Sequence, residues 1–225
     1  ENTGGHYSSP LGVVDLSIAL HYIYDSPKDK LIWDVGHQAY AHKILTGRRE
    51  QFKNIRQING ISGFLKRDES LHDIFGAGHA STSISAALGF AHARDMTKSK
   101  NQVLAIIGDG AMTGGLAYEG INNLGYHRSQ LTIVLNDNSH SISKSVGALS
   151  HYLTRVATNP TYNRIRNDIW EISGKIPMSG HIRKFLRKTE EGIKGYLTPG
   201  AFFEDLGLRY IGPIDGHNMK ELLYT

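Results

Sequence analysis

Two short triplets carry the residue types best suited to bind a hard metal ion. Gly108-Asp109-Gly110 and Asn136-Asp137-Asn138 each follow a run of apolar and β-branched residues. Because parallel strands end at the same edge of a sheet, where ligands commonly bind, we expect the two triplets to lie side by side. The carboxylate of Asp109 and the amide oxygen of Asn138 suit Mg²⁺ or Ca²⁺. The sequence therefore predicts a cation site with oxygen ligands and room for phosphate oxygens.

The residues around Gly110 favour a phosphate group beside that cation. A glycine lets the backbone approach an anion closely, and apolar spacing from Thr113 to Leu124 predicts a helix capped by Thr113. The first N–H groups of such a helix, with its positive end, attract anions. Residues 108–113 lack the third glycine of a dinucleotide-binding loop, and no Gly-Lys-Ser/Thr follows, so both common nucleotide motifs are excluded.

Three of the twelve histidines stand where a ligand could reach them. His6 follows two glycines, His37 follows a predicted strand, and His79 lies at the start of a predicted helix. For His79, helix capping and ligand lining are equally good explanations. His217 is expected to order its own turn. We assign to structure or solvent the histidines on which no partner converges in the sequence: His42, His72, His92, His127, His151 and His181.

Other catalytic classes find no support in the sequence. No His-x-x-x-His or HExxH motif indicates a zinc site, and no Gly-x-Ser-x-Gly indicates a serine hydrolase. The chain has no Cys, which excludes disulfide scaffolds, thiolate metal sites and cysteine nucleophiles. No apolar run approaches the length of roughly 18–20 residues that spans a bilayer.

The predicted strands and helices that would position these residues indicate an α/β fold. Three apolar runs, at residues 31–35, 103–107 and 131–135, predict strands, and the last two are apolar enough to be covered on both faces. A helix of small residues begins at Ser81-Thr82-Ser83, and a final helix follows Asp215-Gly216-His217. We therefore predict a doubly wound, mainly parallel sheet flanked by helices.

The net charge of +4 in 225 residues belongs to one region. Bases outnumber acids between residues 155 and 194, whereas the remainder is close to neutral. We expect a basic, solvated helical excursion at about 150–200, because acids are interspersed and no aromatic platform accompanies the bases. A nucleic-acid-binding module acting through this stretch is the alternative from another class.

Several segments together resemble one enzyme family. They are Gly4-Gly5-His6, residues 31–48 (LIWDVGHQAYAHKILTGR), 76–89 (GAGHASTSISAALG), 107–110, 135–149 and 210–217. The chain resembles the 1-deoxy-D-xylulose-5-phosphate synthase family of transketolase-like enzymes over nearly its whole length. Transketolases share the Gly-Asp-Gly but lack the 31–48 run. Two departures from the family pattern are Ala80, where Ser is usual, and Ala41, where Pro is usual.

The resemblance implies thiamine diphosphate and Mg²⁺ as cofactors. The metal ligands it implies are Asp109, Asn138 and the carbonyl oxygen of His140. The residues implied to contact the cofactor are His37, Gly78, His79, Ala80, Gly110, Ala111 and Asn138. His6 would face the substrate as a group that transfers or shares a proton. The hydroxyl usual at position 80 is missing, so only a main-chain contact is expected there.

The resemblance also implies a reaction and a place in a larger protein. The reaction is the decarboxylative condensation of pyruvate with glyceraldehyde 3-phosphate to 1-deoxy-D-xylulose 5-phosphate, which feeds isoprenoid, thiamine and pyridoxal synthesis. A transketolase that moves two-carbon units is the alternative. Residues 1–225 would be the diphosphate-binding domain, inactive alone, with the pyrimidine-binding and C-terminal domains elsewhere. We expect a homodimer in a bacterial cytoplasm or plastid stroma, with neither nucleic acid nor membrane as partner.

Overall fold

A three-stranded parallel sheet forms the framework of the protein. The computed structural model describes residues 4–137 and 200–225. Its strands are β1 (Lys30–Trp33), β2 (Val103–Gly108) and β3 (Thr132–Asn136), in the order β1-β2-β3. Both pairings are parallel. The predicted α/β fold with a parallel sheet is confirmed.

Helices cover this sheet and connect its strands. In chain order the described helices are α1 (Ser8–Leu11), α2 (Val14–Ile23), α3 (Tyr40–Lys43), α4 (Ser83–Thr97), α5 (Asp109–Met112), α6 (Gly115–His127), α7 (Ala201–Asp205) and α8 (Met219–Tyr224). A π-helical turn (Ile44–Arg48) and a 3₁₀ turn (Glu50–Asn54) extend α3. Among the described residues, no helix has the length and apolar character needed to cross a membrane.

The core lies around the first two strands. Leu31, Ile32 and all of residues 103–107 are buried, as expected for strands covered on both faces. Small residues let α4 pack closely: a side chain on Gly120 of α6 would place its Cβ 2.9 Å from Ile84. The prediction that β3 is also covered on both faces is wrong: Thr132 is exposed, and the other residues of this strand are half-buried. The reason is that β3 ends the sheet formed by the described residues.

The start of α6 differs from the prediction. Gly114, not Thr113, is the residue before the first helical position. Thr113 instead closes α5, because its hydroxyl donates to the carbonyl oxygen of Gly110 at 2.7 Å. The helix was therefore predicted to begin too early, since the sequence did not reveal that α5 intervenes.

The final helix is confirmed and packs beside α2. Asn218 caps α8 by accepting a hydrogen bond from the N–H of Glu221. The ring Nδ1 of His217 lies 2.9 Å from the Asp15 carboxylate, and the backbone N–H of His217 donates to the Asp215 carboxylate at 2.9 Å. His217 therefore orders its turn, as predicted, and also joins that turn to α2.

Residues 200–213 belong to a separate compact unit from residues 4–137 and 214–225. Within that segment, Phe203 of α7 stacks on Tyr210 with ring centroids 6.0 Å apart. Gly200 lies directly against the same ring, because a Cβ there would be 2.5 Å from Tyr210. These contacts give the segment a small aromatic core.

Candidate functional site

Acidic residues follow all three strands at the carboxyl edge of the sheet. Asp34 follows β1 and Asp109 follows β2, and Asp137 comes directly after β3. The register pairs Gly108 with Asn136, so Asp109 and Asp137 occupy the next position on neighbouring strands. The described residues of the two triplets, 108–110 and 136–137, therefore follow neighbouring strands at one edge, as the sequence predicted.

Only part of the predicted metal site falls on described residues. Asp109 is placed at the start of α5, whereas Asn138 and His140 lie outside the described residues. Within residues 4–137 and 200–225, no cluster of three His, Asp or Glu side chains could hold a metal ion. The metal ligands therefore remain a prediction, and Asp109 lies at the edge of the sheet that this prediction requires.

The carboxylate of Asp34 binds the start of α4. This side chain is 1% exposed and accepts hydrogen bonds from the N–H groups of Ser81 (2.7 Å) and Ser83 (2.9 Å). A negative charge at a helix N-terminus is favourable, because the helix dipole is positive there. The positive dipole at the start of α4 is therefore already balanced by a carboxylate of the protein itself.

The turn formed by Gly78, His79 and Ala80 lies just before this contact. Gly78 has φ +149°, which favours glycine, and a Cβ there would meet no atom within 4 Å. The His79 ring is exposed, and its Nδ1 lies 2.8 Å from the Ala80 carbonyl oxygen. The His79 ring thus lies against a carbonyl oxygen, and the carboxylate that binds the N–H group of Ser83, the first residue of α4, belongs to Asp34, so the capping explanation for His79 is wrong.

His6 and His37 form the central pair of side chains at this edge. Their ring centroids are 5.0 Å apart at an interplanar angle of 65°. The Nδ1 atom of each ring is buried and has no hydrogen-bond partner among the described residues. Burial, followed by the nearby His6 ring, lowers the pKa of His37 below its ordinary value. His37 therefore stays neutral near pH 7 and can exchange a proton through its unpartnered nitrogen.

Four residues around this pair were missed by the sequence reasoning: Asp34, Tyr40, Arg56 and Phe64. The Phe64 ring meets His6 edge-on with centroids 6.4 Å apart, and Arg56 lies 5.6 Å over Phe64. The hydroxyl of Tyr40 would be 2.8 Å from a Cβ on Gly5, which has φ +128°. The signal that could have found Asp34 and Tyr40 is their place in the 31–48 run; Arg56 and Phe64 come from loops without such a signal.

A separate group of buried charges, which we call the ion cluster, comprises Lys43, Arg48, Glu69 and Asp73. Arg48 binds both oxygens of Asp73 at 2.8 Å and Glu69 at 2.9 Å, and Lys43 also binds Glu69. Burial tends to raise the pKa of Asp73, but the neighbouring His42 ring, together with hydrogen bonds from Arg48 and the Lys66 N–H, outweighs it and lowers that pKa well below its usual range. Every charge in the cluster thus contacts an opposite charge.

Two histidines that were expected to lack partners belong beside the ion cluster. His42 is fully buried, with Nδ1 2.9 Å from the Nε2 of His21 and Nε2 3.5 Å from Asp73. Burial, and then the charges of His42 and His72, lower the pKa of His21 to about 4. His72 in turn lies 3.0 Å from the Ser26 hydroxyl. Their structural role stands, but the expectation that nothing converges on them is wrong.

One cavity lies away from the three strand ends, with Lys30 at the start of β1 among its lining residues. Its volume is about 710 Å³, and residues of the 65–77 segment line it together with Lys30 and Phe90. Lys66, Arg67 and Asp68 at its rim are exposed. We base the site on the sheet edge instead, because the buried and unpartnered polar atoms of His6 and His37 lie there.

Comparison with known proteins gives consistent results over the whole chain. The family profile described as 1-deoxy-D-xylulose-5-phosphate synthase matches residues 1–225. The 1-deoxy-D-xylulose-5-phosphate synthase of Caldanaerobacter subterraneus subsp. tengcongensis is 54% identical over 222 residues, 98% of this chain and 36% of that protein. A synthase of Geobacter metallireducens is 55% identical over 223 residues, 99% of this chain and 36% of that protein.

A solved structure supports the fold independently. A transketolase mutant from Pichia stipitis aligns with a TM-score of 0.59 at 14% identity, covering 96% of this chain and 32% of its own. This chain spans about a third of the length of these proteins. Because the family profile covers every residue and the two synthases are more than half identical, the chain belongs to the 1-deoxy-D-xylulose-5-phosphate synthase family.

Proposed function

We propose that this chain is the diphosphate-binding part of an enzyme that condenses pyruvate with glyceraldehyde 3-phosphate, releasing CO₂ and forming 1-deoxy-D-xylulose 5-phosphate. The observation that carries the proposal is the 54% identity over 222 residues to a synthase of that name. The gathering of Asp109, His6 and His37 near the strand ends supports it, because this is the edge at which parallel α/β sheets bind ligands.

The residues present fit thiamine diphosphate held through Mg²⁺. Asp109 offers a hard carboxylate ligand, and Asn138 and the carbonyl of His140 would complete the protein's share of the coordination. A Cβ on Gly110 would meet no atom within 4 Å, so the backbone there is accessible to a diphosphate. When bound, thiamine diphosphate supplies a carbon nucleophile that adds to a carbonyl group and then accommodates the resulting negative charge.

The histidine pair would handle protons next to that chemistry. Because the pKa of His37 is lowered, its ring is neutral at physiological pH and its buried nitrogen can accept or donate a hydrogen bond. His6 would hold or move a proton at the oxygen of the reacting carbonyl group. Phe64 lies edge-on to His6, with ring centroids 6.4 Å apart, and places an apolar group beside that ring. The pair therefore suits general acid–base work in a partly dry site.

The remaining parts of the reaction belong elsewhere in the enzyme. The residues that activate the aminopyrimidine and bind the acceptor phosphate would come from the other two thirds of a protein the length of its relatives. We infer a homodimer from the resemblance to the family, and a place in the cytoplasm of a bacterium from the bacterial sources of the synthases compared. The isolated chain would then bind diphosphate weakly and catalyse no turnover.

Calorimetric titration of the full-length protein with thiamine diphosphate and Mg²⁺ tests the cofactor assignment. Asp109→Ala should abolish Mg²⁺-dependent binding, because the carboxylate is the charged ligand of the set. Asp68→Ala, which alters an exposed acid away from the strand ends, is the matched control and should bind normally. Undiminished binding by Asp109→Ala would overturn the metal assignment.

A donor assay separates the synthase from a transketolase, which shares the fold. The full-length protein should release CO₂ from pyruvate in the presence of glyceraldehyde 3-phosphate. It should not transfer a two-carbon unit from xylulose 5-phosphate. Transfer from the ketose phosphate without pyruvate turnover would favour the transketolase.

A further inference from the structure

Two aspartates, one at each end of β1, bind pairs of backbone N–H groups. Asp29, before the strand, accepts from the N–H of Asp25 (2.8 Å) and of Gln102 (2.7 Å). Asp34, after the strand, accepts from Ser81 (2.7 Å) and Ser83 (2.9 Å). The two contacts are chemically alike, but Asp29 is half-buried and Asp34 is almost fully buried. The main difference is the conformation of the residues whose N–H groups they bind.

The Asp34 contact fastens a strained residue. Ser81 has φ +70° and is 6% exposed, a backbone conformation that costs energy for a residue with a side chain. Such strain persists only when the surroundings hold the residue from several directions. Ser81 directly follows the turn of Gly78, His79 and Ala80, so its conformation sets the direction in which that turn leaves α4.

A second hydrogen bond joins Ser81 to α5. Its hydroxyl donates to the carbonyl oxygen of Ala111 at 2.6 Å, and a Cβ on Gly114 would lie 2.2 Å from the same hydroxyl oxygen. Ser81 is therefore packed tightly against the segment that begins with Asp109 and Gly110. The two bonds connect three segments: the end of β1, the 78–80 turn and α5.

We propose that Asp34 and Ser81 are positioning residues that hold the 78–80 turn and α5 in one arrangement able to receive the diphosphate of the cofactor. This inference rests on the proposed function and deepens it, because it assigns roles to two buried residues outside the set expected to contact the cofactor. Asp34 acts through the N–H groups of Ser81 and Ser83. Ser81 acts through the carbonyl of Ala111, one residue from the glycine expected beside the diphosphate.

A purely structural role predicts a different pattern of effects. If Asp34 served only to stabilise the start of α4, its loss would lower thermal stability in the same way as loss of Asp29 at the other end of β1. If it positions the site, cofactor affinity must fall in addition, and the 78–80 turn must loosen in the cofactor-free protein. Asp29→Asn is therefore the matched control for Asp34→Asn, since both remove one charge that binds two N–H groups.

The experiment compares full-length wild type with Asp34→Asn, Ser81→Ala and Asp29→Asn. Titration with thiamine diphosphate and Mg²⁺ gives the dissociation constant, and amide hydrogen exchange without cofactor reports on residues 78–83. We expect Asp34→Asn and Ser81→Ala to raise the dissociation constant by about tenfold or more, because the arrangement that receives the diphosphate would then be populated only part of the time. Exchange at residues 78–83 should accelerate in both, and Asp29→Asn should change neither quantity.

Each outcome decides one question. Unchanged affinity and exchange in both site variants, or an equal loss of affinity in Asp29→Asn, would overturn the positioning role. If Asp34→Asn fails to fold, Ser81→Ala, which removes one oxygen atom, decides the matter in the same way. Wild-type protein that binds no thiamine diphosphate would overturn the proposed function itself, whereas wild-type binding with unaffected variants would overturn only this inference.

Discussion

The ion cluster and the histidine pair are two buried polar regions that differ in whether their polar groups have partners. In the ion cluster, Lys43, Arg48, Glu69 and Asp73 each contact an opposite charge. At the carboxyl edge of the sheet, His6 and His37 are close together, yet the Nδ1 of each has no hydrogen-bond partner among the described residues. Leaving a buried polar atom unpaired costs roughly 1–3 kcal/mol. In the cofactor site proposed above, a ligand would supply the bonds that these two atoms lack.

The ion cluster nevertheless supports the histidine pair, because its side chains bind the backbone of a neighbouring loop. Lys43 donates to the carbonyl oxygen of Ser62, while Glu69 and Asp73 accept from the N–H groups of Ser62 and Lys66. These bonds hold the loop that carries Phe64 against His6. The two regions therefore have different tasks. The ion cluster fixes the path of the loop that carries Phe64, whereas the neighbouring His6 and His37 keep nitrogen atoms without partners among the described residues.

Removing one charge from the ion cluster should give the largest effect on stability. In Asp73→Asn, Arg48 loses its bidentate partner while still buried, and breaking such a buried pair costs about 3–5 kcal/mol. The unfolding transition of this domain, followed by chemical denaturation, measures the loss. Glu50→Gln breaks the exposed pair with Lys53 and should leave that transition unchanged. Equal, small effects in both variants would contradict the distinction between the two regions.

Removing an unpaired histidine should act on turnover instead. His6→Ala in the full-length enzyme should lower the rate of product formation by about 100-fold or more, the usual contribution of a proton-transferring group. Stability should fall little, because the described residues offer the His6 Nδ1 no hydrogen bond to lose. His127→Ala, at an exposed ring on α6, is the control and should preserve both quantities. Loss of stability without loss of activity in His6→Ala would reverse our assignment of the regions.

Acid should weaken the folded state through His21, which lies beside the ion cluster against His42. The pKa of His21 is lowered to about 4 by burial and then by His42 and His72, so between pH 6.5 and 4 the unfolded chain binds a proton that the folded chain does not. Stability present above pH 6.5 is therefore lost as the pH falls toward 4. His21→Gln should flatten the fall in thermal midpoint over this range, whereas His127→Gln should not. An unchanged slope in His21→Gln would show that other groups dominate acid unfolding.

A polar contact outside both regions should matter least. Thr113→Val removes the hydroxyl that donates to Gly110 at an exposed position, and we expect a loss of at most about 0.5 kcal/mol in unfolding free energy. An N-cap residue would cost about 1 kcal/mol or more. A loss of that larger size, measured by denaturation, would contradict the start of α6 at Gly115.

Much of the sheet and part of the site could be read directly from local patterns. Continuous apolar runs predicted β1 and β2 within one or two residues of their observed ends, because strands covered on both faces need apolar residues throughout. The triplets after β2 and β3 were predicted to meet, because parallel strands share an edge. Thr113 was misassigned because a short helix, α5, cannot be distinguished from the start of a longer one by spacing alone.

Local sequence patterns were enough to predict the class of fold and the strand ends at which the site residues gather, since these depend on periodicity and on residue types next to one another. The family followed from the resemblance of several segments to known synthases. The tertiary structure alone decided which distant residues touch. Asp34 meets Ser81 across 47 positions, and Arg48 meets Asp73 across 25. Nothing local encodes such contacts, because each arises only when the packing of strands, helices and loops brings buried polar groups together and requires them to be satisfied.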